Sequence, residues 1–218
     1  YIGKWHLATG AHGPVAPEQR GGYQDWLASN ILEFTSSPYD TIMYDGEGNE
    51  VKLPGYRADA TVDAGIDYIH AHQHEPFFLM LSLVEPHHQN HLYDYTPPDG
   101  YREPFTGQWM PPDLAALGGT AHQHMGGYWG AVKRIDEAFA RLMDALKSLG
   151  LDQDTIVLFT SDHGCHFETR PGQDKRTWHE SSARVPTAFF GPGFKGGGCI
   201  EQPVSLIDLS ATLLDAAG

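Results

Sequence analysis

The chain has 218 residues, 40% of them hydrophobic and 19% charged, with a formal net charge of −14 at pH 7. That length suits one large α/β domain and argues against a second full one, while the acidic balance argues against a nucleic-acid partner and obliges any anionic substrate to meet local positive charge from a metal ion or a few placed Lys and Arg. No run of eighteen apolar residues and no basic-apolar-small leader occurs, so no membrane segment is expected, and two cysteines, Cys165 and Cys199, make no disulfide framework.

In chain order, Gly3-Lys4-Trp5-His6-Leu7 comes first. In an extended segment Lys4 and His6 share one side while Trp5 takes the other. A cation and an imidazole presented together suit an anionic group; the alternative is a solvated Lys4 and a packed His6. Residues 41–44 and 51–53 flank Asp45-Gly46 and Gly48-Asn49 and predict a hairpin. A helix is expected from Asp59, with Val62, Ile66 and Ile69 on one face and Asp59 or Thr61 as N-cap, ending near His74 ahead of Pro76. Residues 77–84 form an unbroken apolar run, read as a buried strand that delivers Glu85, Pro86, His87 and His88 to its carboxyl end, where open α/β sheets bind their ligands.

Residues 89–126 read as a long insert rich in Pro, Gly, His and aromatics, either shaping a substrate pocket or packing as a satellite apolar cluster. A helix over 127–149 follows from Val132, Ile135, Phe139, Leu142, Leu146 and Leu149 at steps of 3 and 4, stopped by Gly150. Thr155-Ile156-Val157-Leu158-Phe159 then predicts a buried strand of a parallel sheet, ending in Thr160-Ser161-Asp162-His163-Gly164, where Gly164 allows a sharp turn. A carboxylate beside an imidazole at that end is a candidate metal or sulfuryl/phosphoryl site; Asp162 could instead cap a turn. Beyond it, His166, Arg170 and Arg176 read as substrate contacts or as solvated loop groups. Glu180 and Arg184 read as an ion pair or cap that fixes the loop carrying Lys175. A short strand is expected over 187–190 and a surface helix over 204–217.

Taken together, Gly3-Lys4-Trp5-His6-Leu7, Pro86-His87 after an apolar strand, Thr160-Ser161-Asp162-His163-Gly164, and Lys175 followed by Glu180 and Arg184-Val185-Pro186 resemble the type I sulfatases of the alkaline phosphatase superfamily. The resemblance implies an α/β fold with a mostly parallel central sheet flanked by helices, and makes residues 1–218 part of the catalytic domain, with the insert at about 89–126 shaping the pocket. It implies that Asp162 and His163 ligate a divalent cation, Ca²⁺ or alternatively Mg²⁺, as oxygen-rich sites with a tolerated imidazole do. Lys4 and Lys175 match lysines that hold the sulfate oxygens, and His6 matches the histidine beside the nucleophile. His87 matches the one that protonates the leaving oxygen, with His88 as the competing candidate, while His88, His166 and Arg170 are assigned to substrate contact.

Two departures stand out. The family carries its nucleophile in a Cys- or Ser-x-Pro-x-Arg motif whose first residue becomes formylglycine; neither Cys165 nor Cys199 fits it. The family's two N-terminal Asp metal ligands also have no counterpart. Both are expected upstream, so the chain reads as the middle of a sulfatase, inactive by itself. The full protein is then expected to cleave a sulfated small molecule or glycan, by resemblance in the periplasm or outside the cell. The alternatives are a phosphonate or phosphate ester hydrolase on the same fold and a non-catalytic sulfated-glycan binder.

Overall fold

The structure, a computed structural model, describes residues 1–194 and 196–218. It divides into two compact units, one of Tyr1–Met110 and His122–Leu149, the other of Pro111–Ala121 and Gly150–Gly218.

The first unit is built on a five-stranded sheet in the order β4-β3-β2-β1-β5. Its strands are β1 (Ile2–Lys4), β2 (Leu27–Ser29), β3 (Thr41–Tyr44), β4 (Glu50–Leu53) and β5 (Leu81–Ser82). β1 lies between β2 and β5 and runs parallel to both, while β3 and β4 close one edge antiparallel. The sheet is therefore mixed with a parallel centre, as the α/β reading requires. Successive residues of β2 serve opposite faces: Ala28 joins Tyr1, Val15 and Trp26, whereas Leu27 packs on Leu32, Met43 and Val84.

The β3–β4 hairpin forms where its turn residues place it, with Thr41 opposite Leu53 and Tyr44 opposite Glu50. Asp45 Oδ1 accepts the backbone N–H groups of Glu47 and Asn49, closing the turn. The 77–84 run makes far less strand than its hydrophobicity suggests. Only Leu81 and Ser82 pair in the ladder, and Phe78 and Met80 are exposed. Apolar continuity does not measure how much partner strand is available.

Helix α2 (Arg57–Ala71) packs against the sheet and buries Val62 and Ile69. Its N-cap is Tyr56, without a side-chain hydrogen bond, so neither Asp59 nor Thr61 caps it. Asp59 is otherwise engaged: its carboxylate takes Arg134 at 2.9 Å and Arg141 at 3.0 Å, both from α4 (Ala121–Ser148). Helix α4 starts six residues before the expected 127, through Gly126-Gly127, a pair that propensity disfavours. Packing compensates, because a Cβ on Gly127 would run into the Tyr95 carbonyl oxygen and the Arg102 guanidinium. Along its inner face Ala131 and Ala138 join Ile135, Leu142 and Leu146, while Val132 is exposed. Gly127→Ala sets about 1 kcal/mol of helix propensity against overpacking of about 1–3 kcal/mol. A lowered melting temperature is the expected outcome; a raised one would mean that the 95–102 loop moves aside.

The second unit holds β6 (Val157–Thr160) and β7 (Thr187–Phe190), with α3 (Pro112–Ala116), α5 (Glu180–Ala183) and α6 (Leu206–Ala217). β6 and β7 pair antiparallel, Val157 opposite Phe190 and Thr160 opposite Thr187. The buried strand expected at 155–159 begins only at Val157, none of its residues is fully buried, and its partner among the described residues is antiparallel. An apolar run marks a strand without fixing the direction of its neighbour. Helix α6 opens on a capping box of Ser205 and Asp208.

Candidate active site

β1 ends at Lys4, paired in register with Ser29 at the end of β2. The chain leaving β2 winds directly into the short helix α1 (Leu32–Thr35), which carries Glu33 to the same end. There Lys4 Nζ donates to Glu33 Oε1 at 2.8 Å, with the lysine side chain 14% and the carboxylate 4% exposed. Burial pushes the Glu33 carboxyl up, but the Lys4 hydrogen bond, the backbone N–H of Glu33 itself and the charges of Lys4 and His87 outweigh it and hold the group below the usual carboxylate range. The second oxygen, Oε2, is buried without a hydrogen-bond partner among the described residues.

His87 follows β5 in a turn closed by its N–H to the Val84 carbonyl at 2.9 Å. Its Nδ1 lies 2.6 Å from the His88 carbonyl oxygen, an acceptor that calls for a proton on Nδ1 and gives proton exchange to Nε2. The residues two before and two after it are held by Arg57. Arg57 Nε donates to Glu85 Oε1 at 2.9 Å and Nη2 to Gln89 Oε1 at 3.0 Å, with all three side chains buried. Gln89 Nε2 in turn donates to the Glu33 carbonyl oxygen at 3.1 Å. One buried guanidinium thereby ties the His87 turn to the helix that pairs Lys4.

His6 lies just past the strand, exposed, with φ 59°, its N–H donating to the Asn30 carbonyl at 2.7 Å. The extended alternation expected to align it with Lys4 therefore stops at Lys4, while Trp5 does anchor, edge-on to Tyr1, Tyr23 and Trp26. His88 packs among the rings of Tyr93, Tyr95 and His124, with Nδ1 3.4 Å from Asn90 Oδ1.

In the second unit Asp162 and His163 follow β6. Asp162 Oδ2 and His163 Nε2 stand 3.2 Å apart, and the Asp162 side chain is 80% exposed. His163 Nδ1 is 2.7 Å from the Gly164 carbonyl oxygen, which leaves Nε2 as the lone-pair end suited to a metal. The pair therefore fits a divalent cation in donor chemistry and supplies two donors; no larger metal-binding cluster of His, Cys, Asp and Glu occurs among the described residues. Gly164 is needed for close approach: a Cβ there would meet the Ser181 carbonyl, and its N–H donates to the Ser182 carbonyl at 2.8 Å. Lys175 is half-buried, in a segment tied back to this loop by the His166 N–H on the Asp174 carbonyl at 2.7 Å.

His166 itself is fully buried, its Nδ1 accepting from the Thr169 N–H at 3.2 Å. Burial lowers its basicity, against a backbone hydrogen bond that raises it, with smaller lowering contributions from His179 and Arg170. Arg170 is exposed, with its guanidinium 6.0 Å over the Trp178 ring. Glu180 and Arg184 form an exposed pair at 3.9 Å across one turn of α5, a contact worth under ~1 kcal/mol.

The first unit thus gathers Lys4 and His87, and the second gathers Asp162, His163 and the Lys175 segment. Glu33, Arg57 and Gln89 went unnoticed in the sequence, and Glu85 was placed at the strand end without a role. Glu85 and Gln89 at two places on either side of His87 were the available signal; for Glu33 there was none.

The chain matches the family model described as Sulfatase over residues 1–218. It belongs to the sulfatase family. This sulfatase-family chain is 29% identical over 227 residues to the ulvan-active sulfatase of Formosa agariphila, covering 98% of itself and 43% of that protein. It is 30% identical over 178 residues to an arylsulfatase of Clostridium perfringens, covering 72% of itself and 37% of that protein. Among solved structures it superposes on Ps i-CgsB in complex with k-i-k-neocarrahexaose with a TM-score of 0.70 at 23% identity, over 99% of this chain and 49% of that one, a likeness of fold. The sulfatase-family chain spans less than half the length of these relatives.

Proposed function

We propose that the full protein is a sulfuric ester hydrolase acting on a sulfated carbohydrate. The observation that carries this reading is the gathering of Lys4 and His87, from distant parts of the chain, around one buried carboxylate. The family match and the ulvan-active relative support sulfate as the group and a glycan as its bearer. In this reading Lys4 and Lys175 act as point charges on the sulfate oxygens as charge shifts during S–O cleavage. His87 delivers the proton on Nε2 to the departing alcohol oxygen, and His6 handles the proton that moves as sulfate leaves. His88, His166 and Arg170, with the segment 89–126, bear on the rest of the substrate; buried His166 does so by holding its loop.

Asp162 Oδ2 and His163 Nε2 would hold the cation, Ca²⁺ or alternatively Mg²⁺. When bound, that cation supplies a Lewis acid for the sulfate, and a formylglycine from the longer protein supplies the attacking oxygen. Inorganic sulfate should therefore be released when the full-length protein meets sulfated oligosaccharides, and a Cys- or Ser-x-Pro-x-Arg motif should lie in its reading frame. Tight binding of the glycan without sulfate release, from a frame lacking that motif, would make the protein a binder.

A further inference from the structure

The following rests on the catalytic reading of Lys4 and His87. Lys4 belongs to β1, Glu33 to α1 and His87 to the turn after β5, yet a single carboxylate serves both cations. It is 4% exposed, one of its oxygens is hydrogen-bonded to Lys4 and the other is buried without a hydrogen-bond partner among the described residues. A buried carboxylate with one oxygen left without a partner is not arranged for stability alone, because a fully satisfied pair would bond both oxygens. The backbone of Glu33 is further tied to the His87 turn through Gln89 and Arg57. The charged or titratable groups around this arrangement are Lys4 from β1, His87, Glu85 and His91 from the segment after β5, the last with Nδ1 3.0 Å from Gln89 Nε2, and Arg57 from α2. Arg57 and Glu85 pair with each other at 2.8 Å, so the carboxylate that answers Lys4 and His87 is that of Glu33.

We propose that Glu33 is a positioning residue for sulfate ester cleavage: its carboxylate fixes the Lys4 ammonium and faces His87, so that both cations stand ordered before the anion arrives. The ester's oxygens then replace Glu33 as the partner of Lys4.

The test is Glu33→Gln in the full-length protein, against a sulfate ester, with Lys4→Ala and His87→Gln alongside. The amide keeps shape and loses charge. We expect kcat to fall about 10- to 100-fold with KM unchanged or lower. The alkaline limb of the pH profile, where His87 loses its proton, should move down by about one pH unit. The sign follows from charge: the Glu33–His87 attraction favours the protonated imidazole, and the amide removes it. A folded Glu33→Gln protein with wild-type kcat and pH profile would overturn the proposal. If Glu33→Gln does not fold, His87 is titrated by NMR in the wild-type protein with labelled histidines, assigned by His87→Gln. A titration above about 6.5 supports Glu33, and one at or below it overturns the role. Unchanged rates in both Lys4→Ala and His87→Gln would instead remove the catalytic reading itself.

Discussion

Lys175→Ala in the full-length protein is expected to lower kcat for a sulfate ester by about 10²–10³-fold, the cost of removing one preorganised donor to an oxyanion. The melting temperature should stay nearly constant. Lys175 is half-buried in the loop beyond Asp162 and His163, held through the backbone bond from His166 to Asp174, which the substitution leaves intact. Lys175→Arg should restore the charge and only part of the rate, because a planar fork does not replace a compact ammonium against one oxygen. Kinetics at saturating substrate, with a thermal melt of each variant, separate the two effects. An unchanged kcat in Lys175→Ala would take the residue out of the mechanism. Lys4→Ala is a less clean probe, since it also strands the Glu33 carboxylate in a buried position.

The largest stability effect is expected from Arg57→Ala. Arg57 is 2% exposed and its guanidinium serves the Glu85 carboxylate and the Gln89 amide at once, with the Ser36 carbonyl at 3.4 Å. Removing it leaves a buried charge without its counter-ion, a change that costs about 3–5 kcal/mol. A protein with ordinary marginal stability could lose the fold of this unit altogether. The double change Arg57→Met with Glu85→Gln should cost much less, because no net charge is then stranded. Denaturant titration of both variants checks this; a loss under about 1 kcal/mol for Arg57→Ala would mean that water reaches Glu85.

These two predictions come from different depths of the sequence. Lys4 and His87 could be picked out because each sits beside a strand end, where α/β sheets present their side chains, whereas Lys175 was picked out only by the resemblance to the sulfatases. The β3–β4 hairpin and helices α2, α4 and α6 were legible for a similar reason, since turn residues and apolar periodicity are local. Arg57 carried no such mark. Its role comes from Glu85 and Gln89, which only tertiary folding brings to it. Glu33 is the extreme case: Leu32-Glu33-Phe34-Thr35 has no motif, and its meaning is a pairing with Lys4 across most of β1, β2 and their connection. Strand partners failed in the same way. The run at 77–84 became a two-residue strand and the run at 155–159 found an antiparallel neighbour, because pairing length and direction belong to the sheet and not to the segment.

The gathering of cations around Glu33 has one functional corollary. With a net charge of −14, any attraction for an anion must be concentrated locally, and the roles proposed for Lys4 and His87 would do this within the first unit. Competition between two substrates with the same aryl leaving group tests that account most directly, one a sulfate monoester and the other a phosphonate monoester, turned over by the full-length protein. The account predicts that the sulfate ester has the higher kcat/KM. Far faster cleavage of the phosphonate would contradict it.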